Sequence, residues 1–284
     1  MRQVMVRLLK HPTAVVGASI IAVYVLAAIF APYLSPHSPV KNNLSLRNAP
    51  PFWQEGSVPG HWLGTDALGR DIFSRILYGG RVSLLVGLLS TGFSMLLGTT
   101  LGALAGYFRG ALDQLLSRLS DLLLAFPFLI FAIGVMAFLG PGFWNLVWAL
   151  SFKGWVEFFR LTRGAVLSEK TREYVEAAKA LGVRDGRIIL RHLLPNVIHS
   201  VLVLTTLRVG FFIVLEASLS FLGLGLPPSV PAWGSMINEG RDVLAVAYWV
   251  STMPGIALLI LVLAINLLGE GLRDVLDPRL REMY

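Results

Sequence analysis

The feature that most constrains this chain is a set of long stretches with no charged residue. Residues 13–34 are uncharged for 22 positions, 82–108 for 27, 122–152 for 31 and 243–269 for 27. A helix needs about 20 apolar residues to cross roughly 30 Å of hydrocarbon, so each run is long enough to span a bilayer. The run at 122–152 is too long for one straight crossing, and Gly140-Pro141-Gly142 divides it into a predicted tight hairpin of two spans. The second arm continues through Lys153 and Glu157 to about Leu167. Residues 195–221 form a fifth span, interrupted by Arg208 and Glu216, and 243–269 a sixth. The first run is longer than a signal-peptide core and lacks a clear small-residue cleavage site. The sequence therefore predicts an all-α integral membrane protein with six transmembrane helices.

Composition agrees. Apolar residues make up 55 % of the 284 and charged residues 14 %, against about 25 % charged in soluble domains. With a mean hydropathy of +0.68, this excludes a disordered chain, a coiled coil, a disulfide-stapled secreted domain and an ordinary soluble enzyme. The absence of cysteine excludes thiol chemistry and Cys-ligated zinc. The formal charge is +7, which in a soluble protein would suggest nucleic acid. Here the distribution explains it. Six spans put both termini on one side, where 16 Lys and Arg lie, against 6 on the other. By the positive-inside rule the termini are cytoplasmic, and no nucleic-acid partner is needed.

The segment between the first two spans is Pro-rich, then reads HWLGTDALGRDIFSRILYGGRVSL. Ile72, Phe73, Ile76 and Leu77 share a helical face opposite Arg70, Asp71, Ser74 and Arg75. That pattern predicts a short helix on the membrane surface, ending near Gly79-Gly80. Gly98, Gly102 and Gly106 recur every four residues on the second span, with Gly87 and Thr91 near the same face, a spacing that lets helix backbones approach closely. Pro127 and Pro254 predict kinks.

The loop between the fourth and fifth spans, REYVEAAKALGVRDGRIILRHLLPN, is much longer than a turn requires. Val175, Ala178 and Leu181 fall at helical spacing, Gly182 breaks the helix, and Asp185 is placed to cap a second short helix carrying Ile188, Ile189 and Leu190. Pro195 restarts the chain into the fifth span. Two short helices joined at a glycine make a protruding knob, on which small Ala177, Ala178 and Gly182 permit close approach by another surface. A solvated basic loop fits the same periodicity.

Four charges fall within predicted spans, where an ionisable group costs a few kcal/mol and faces a cavity or a partner. Lys153 and Glu157 stand four apart and can pair on one face; Arg208 and Glu216, eight apart, share roughly one face. They read either as a polar lining of a pore or subunit seam, or as structural pairing near a misplaced span boundary. The five histidines show no metal-ligand spacing, and no acid–base pair or nucleophile stands out. None of the five lysines follows a glycine, so there is no P-loop.

The loop resembles the EAA motif of membrane subunits of binding-protein-dependent ABC importers, in which EAA is followed after three residues by Gly and, nine further on, by I-x-L-P. Glu176, Ala177, Ala178, Gly182, Leu194 and Pro195 match, while His192 replaces the Ile. The LGTDALGRD segment, EASLSFLGLG at 216–225 and PAWG at 231–234 resemble the C-type subunit of oligopeptide and dipeptide permeases. The resemblance implies a type I importer permease fold. It divides the chain into residues 1–80, with the first span and external segment, a five-helix core at 81–270 and a cytoplasmic tail at 271–284. The loop at about 168–195 becomes a coupling loop that docks on a cytoplasmic ATPase, with Glu176, Ala177, Ala178, Gly182, Asp185 and Pro195 as its marked residues. The implied partners are a second homologous permease, two ABC ATPases that hold ATP and Mg, and an extracytoplasmic solute-binding protein. The implied location is a bacterial or archaeal plasma membrane. Peptide is the implied cargo; nickel and glutathione importers share the subunit type. An ion-gradient transporter working through Lys153, Glu157, Arg208 and Glu216 is the competing class, although no inverted repeat is evident.

Overall fold

The computed structural model describes Leu8 and residues 11–276. Arg2, Arg7, Lys10, Arg279 and Arg281, part of the orientation count, lie outside the described residues. Among the described residues the regular elements are helices, with one isolated antiparallel bridge between Thr65 and Asp71. Helix α1 (Pro12–Ile29) is followed by the single turn α2 (Ala31–Leu34) and a long irregular segment. Next come α3 (Ile72–Phe108), α4 (Gly110–Leu124), α5 (Phe128–Leu139) and α6 (Phe143–Glu169). The loop holds α7 (Glu173–Ala180) and α8 (Asp185–Ile188), and α9 (Leu194–Phe221), α10 (Trp233–Arg241) and α11 (Trp249–Leu276) complete the chain.

Four helical stretches are long and apolar enough to cross a membrane: α1, α3, residues 185–221 ending in α9, and α11. The pair α4 and α5 makes a fifth if counted as one broken span. Helix α6 has 27 residues, but Lys153, Glu157, Arg160 and Arg163 interrupt its apolar length. The predicted hairpin at Gly140-Pro141-Gly142 forms, with Gly140 at φ 78°.

Three sequence expectations are corrected. The third span is broken, not merely kinked: α4 and α5 meet at 92°. Pro127 supplies no N–H and disfavours helix at Phe126, so the helix stops. Twelve residues of α5 reach about 18 Å, too short to cross alone. Second, no short surface helix ends at Gly79-Gly80. Asp71 caps α3 by accepting the Ser74 N–H at 2.8 Å, and the helix runs 37 residues through both glycines. Arg70, Asp71, Ser74 and Arg75 are buried rather than solvated. The glycines make room for Trp233 of α10: a Cβ on Gly79 would lie 2.7 Å from its Cδ1. The Trp233 indole N–H donates to the Ile76 carbonyl at 3.0 Å. Third, Pro195 does not restart the chain. A π-helical turn, Ile189–Leu193, joins α8 to α9 without a break, and the helix runs on through Pro195, whose missing N–H leaves one bond of the ladder unmade.

The centre of the molecule is the crossing of α3 with α6. Gly98, Gly102 and Gly106 all face α6, which settles their role as packing within the chain. A Cβ on Gly102 would lie 2.6 Å from the Phe159 carbonyl oxygen, and one on Gly106 2.9 Å from that of Arg163. Gly87, on a neighbouring strip, faces Ile213 of α9 instead, at 2.6 Å. Thus α3 carries two glycine-lined contacts, one for each long neighbour. At the periphery α1 leans on α11, where Gly17 approaches the Ala264 carbonyl and Gly271 approaches Ala14. Close backbone approach replaces the hydrophobic driving force that is missing between helices in lipid.

Gly102→Ala is expected to lower stability by about 1–3 kcal/mol, because an added methyl overpacks the seam. Gly92→Ala, which meets no atom within 4 Å, should be neutral or stabilising by up to ~1 kcal/mol through helix propensity. Thermal unfolding midpoints of the two variants in detergent check both signs.

Candidate functional site

The coupling-loop residues form one compact knob. Glu173 and Glu176 stand in the first turn of α7 and Lys179 in its last, each favourable to the helix dipole. Gly182, at φ 75°, ends α7 in a Schellman motif: its N–H donates to the Lys179 carbonyl at 2.9 Å and the Val183 N–H to that of Ala178 at 3.1 Å. Val175 and Ala178 point inward and join Ile188, Ile189, Leu193 and Val197 in one apolar cluster with Tyr107. Ala178 is therefore part of the base of the knob rather than of a surface for another protein. Glu176, Ala177, Gly182 and Pro195 are exposed. Among the described residues the Glu176 carboxylate has no ion-pair or hydrogen-bond partner. Leu181, at the spacing of the buried pair, is 83 % exposed instead, because the chain turns away at Gly182.

Asp185 does not cap α8; Arg184 holds the cap position, without a side-chain bond. The Asp185 carboxylate accepts the Tyr107 hydroxyl hydrogen instead. Tyr107, in the last turn of α3, is a residue sequence reasoning missed. The Lys170 ammonium donates to its carbonyl at 2.9 Å, and Lys179 lies 5.4 Å from its ring centroid. Burial, then the charges of Arg109 and Lys179, hold the Lys170 amine below its usual range. On the other side of the knob, Asn196 of α9 donates to the Tyr174 hydroxyl at 2.9 Å, which donates to Glu169 at 2.8 Å. The knob is thus fastened to α3, α6 and α9 at once. The only sequence signal for Tyr107 is a polar ring at the end of an apolar span.

The four charges that fall within predicted spans pair differently from the expectation of neighbours on one helix. Glu157 of α6 forms its ion pair with Arg208 of α9, whose guanidinium also lies 4.8 Å from the Phe211 ring centroid. Lys153 makes no ion pair with Glu157. Its ammonium donates to the Phe126 carbonyl, one of the acceptors freed where Pro127 breaks the helix, and lies 5.5 and 5.6 Å from the Phe128 and Phe131 rings. Glu216 is fully buried and does not meet Arg208. Its two oxygens accept from Ser83 of α3 at 2.8 Å and from Ser220, one turn on, at 2.7 Å. All four groups therefore have partners inside this chain.

A fourth charged cluster lies at the start of α3. Asp66 accepts from the Leu68 and Arg70 backbone N–H groups at 2.8 and 3.0 Å, from the Arg70 side chain at 2.7 Å and from Arg75. Both arginines also reach Glu239 of α10, at 2.7 Å. Two carboxylates are matched to two guanidinium groups, so the charges compensate one another, although Arg75 Nε is left without a hydrogen-bond partner.

If the Glu157–Arg208 pair is structural, removing one partner leaves the other charge uncompensated. Arg208→Met is expected to destabilise by roughly 1–3 kcal/mol, and Arg208→Met with Glu157→Gln by less than the single change. A double-mutant cycle on unfolding in detergent measures the difference.

Comparison with known proteins locates this architecture. Residues 98–282 match the family model described as binding-protein-dependent transport system inner membrane component. Residues 1–51 match the N-terminal transmembrane domain of oligopeptide transport permease C. The glutathione transport system permease protein of Pectobacterium atrosepticum is 43 % identical, over 97 % of this chain and 90 % of that protein. The dipeptide transport system permease protein of Alkalihalophilus pseudofirmus is 41 % identical, over 99 % and 90 %. The di/tripeptide transport system permease protein of Pseudomonas aeruginosa is 42 % identical, over 93 % and 88 %. In fold, the chain is similar to a subunit of the MetNI methionine ABC transporter in an inward-facing conformation, with a TM-score of 0.61 at 19 % identity over 72 % of this chain and 97 % of that one. By the extent of the family match and the full-length relatives, the chain belongs to the binding-protein-dependent transport system inner membrane components, and it is a multi-pass permease subunit of an ABC importer.

Proposed function

We propose that this permease carries di- or oligopeptides across the bacterial inner membrane, in a pair with a second homologous permease. A solute-binding protein delivers the cargo, and two ATPase subunits, which hold the ATP and Mg, drive the cycle. The chain itself carries no cofactor. In this reading the broken pair α4–α5 and the charged helix α6 each complete one crossing. The chain then crosses six times, with both termini and the loop at 168–195 in the cytoplasm and the segment at 35–71 outside. Residues 81–270 form the transporting core, and the flanking 1–80 and 271–284 are additions to it.

The observation that carries the coupling role is the knob's construction. An unpartnered carboxylate, Glu176, and the small residues Ala177 and Gly182 are held out on a rigid base fastened to three long helices. A push on such a base reaches α3 through Tyr107–Asp185 and α9 through the unbroken π turn, whereas a solvated loop would absorb it. For cargo, the dipeptide and di/tripeptide names of two relatives support peptide. The name of the 43 % identical relative favours glutathione, itself a tripeptide, as a second reading.

The test is ATP-dependent peptide uptake by the assembled complex in proteoliposomes. Gly182 has free space around it but a left-handed backbone, so Gly182→Ala costs only about 1–2 kcal/mol of local strain. Gly182→Arg additionally puts a cation on the docking surface and is expected to leave the chain inserted while abolishing uptake. Tyr107→Phe, which loses one hydrogen bond, should lower uptake by up to about tenfold. Normal ATP-driven uptake by the Gly182→Arg complex would remove the coupling assignment.

A further inference from the structure

At the end of α3 opposite Tyr107, about 55 Å away along a 37-residue helix, lies a further cluster, in which Asp71 alone has an assigned role, as a helix cap. His37 follows α2, His61 belongs to the irregular segment, and Asp71 is the cap of α3. Spacing gave no hint of it, since the histidines are far apart in sequence and the carboxylate read as a helix cap. The fold brings one ligand atom of each within 4.8 Å of the other two. We propose that His37, His61 and Asp71 bind a divalent transition metal of zinc's class, with water at the remaining coordination position.

The donor set and geometry favour this. Two imidazoles and one carboxylate suit borderline metals such as zinc and not magnesium or calcium, which take oxygen. His61 Nδ1 lies 2.9 Å from Asp71 Oδ1. That separation serves a hydrogen bond; two ligands roughly 2.0–2.2 Å from a tetrahedral zinc ion stand about 3.4 Å apart, so the pair opens by about half an ångström to admit the metal. The second Asp71 oxygen is already fixed by the Ser74 N–H at 2.8 Å and the Ser74 hydroxyl at 2.6 Å, the outer support that holds metal-binding carboxylates in place. The same Ser74 hydroxyl oxygen accepts the His37 backbone N–H at 3.3 Å, which ties the third ligand's backbone to the site.

His61 and Asp71 are buried and preset, whereas His37 is exposed and must move. Its ring stacks on His61 at 4.1 Å and 19°, so its lone pair aims at a shared metal only after the ring swings out of the stack. Gly60 gives it room: a Cβ there would lie 3.3 Å from His37 Nε2, and the φ of +91° excludes most other residues. Metal binding would add a direct link between the chain after α2, the irregular segment and the start of α3 to the hydrogen bonds that already join them.

The test is zinc titration by calorimetry of the full-length chain in detergent, carrying no histidine tag and stripped with a chelator. One zinc per chain is expected, with a rise in the unfolding temperature and no comparable response to magnesium. His37→Ala, an exposed position, should fold with an unchanged midpoint in the absence of metal, bind zinc at least about tenfold more weakly, and lose the zinc-dependent rise; Ser74→Ala should weaken binding in the same direction, since loss of such an outer support costs about 10–100-fold. No saturable zinc binding by the unaltered chain would overturn the proposal. So would undiminished binding by His37→Ala, which would place the zinc on other histidines.

Discussion

The close approach of α3 to α6 is the contact on which the rest of the structure depends. Three glycines, spaced four residues apart, open a strip of α3 along which it closely approaches the backbone of α6. In lipid no hydrophobic force holds helices together, and dispersion contact at short range takes its place. The seam fixes the height of α6 against α3, and with it the register of every charge that α6 carries. Glu157 meets Arg208, and Lys153 reaches the Phe126 carbonyl, because α6 sits at that height. Gly87 and Gly154 extend the principle to α9, whose Ile213 and Phe212 fill the space they leave.

Partnered charge is the second theme. A chain with few charges still buries several, and each is matched by a different device. A helix-to-helix ion pair serves Glu157, a broken helix's free carbonyl serves Lys153, and two hydroxyls serve Glu216. A four-member network of two carboxylates and two guanidinium groups serves Asp66, Arg70, Arg75 and Glu239. Such groups are costly when unpaired, so their partners constrain where helices can sit. The network at the start of α3 clamps the irregular segment to α10, while Tyr107 and Asp185 clamp the knob at the far end. One 37-residue helix therefore carries a fastening at each end.

Much of this was legible in the residues. Uncharged runs identified the apolar helices, Gly140-Pro141-Gly142 the hairpin, the glycine repeat a packing face, and the EAA pattern the knob with Gly182 at its turn. These are local signals, because length, periodicity and backbone freedom act within a few residues. The errors were of another kind. Arg70, Asp71, Ser74 and Arg75 read as a solvated face because a polar stripe says nothing of Glu239, 164 residues beyond Arg75 on α10. Gly79-Gly80 read as a helix end because glycine as a breaker and glycine as room for Trp233 look alike. Lys153 and Glu157 read as a pair because i, i+4 neighbours can meet, yet each found a stronger partner on another segment.

What the sequence determined alone is the material: an all-helical membrane chain, its family, and the position of the two-helix loop along the chain. Those properties rest on hydropathy and backbone preference, which sum along the chain. The tertiary structure decided the pairings, since a charge or hydroxyl selects the partner that the fold brings within about 3 Å, and that distance depends on all helices together. Tyr107 became the anchor of the knob, and His37, His61 and Asp71 became neighbours, only when α3 and the irregular segment were in place.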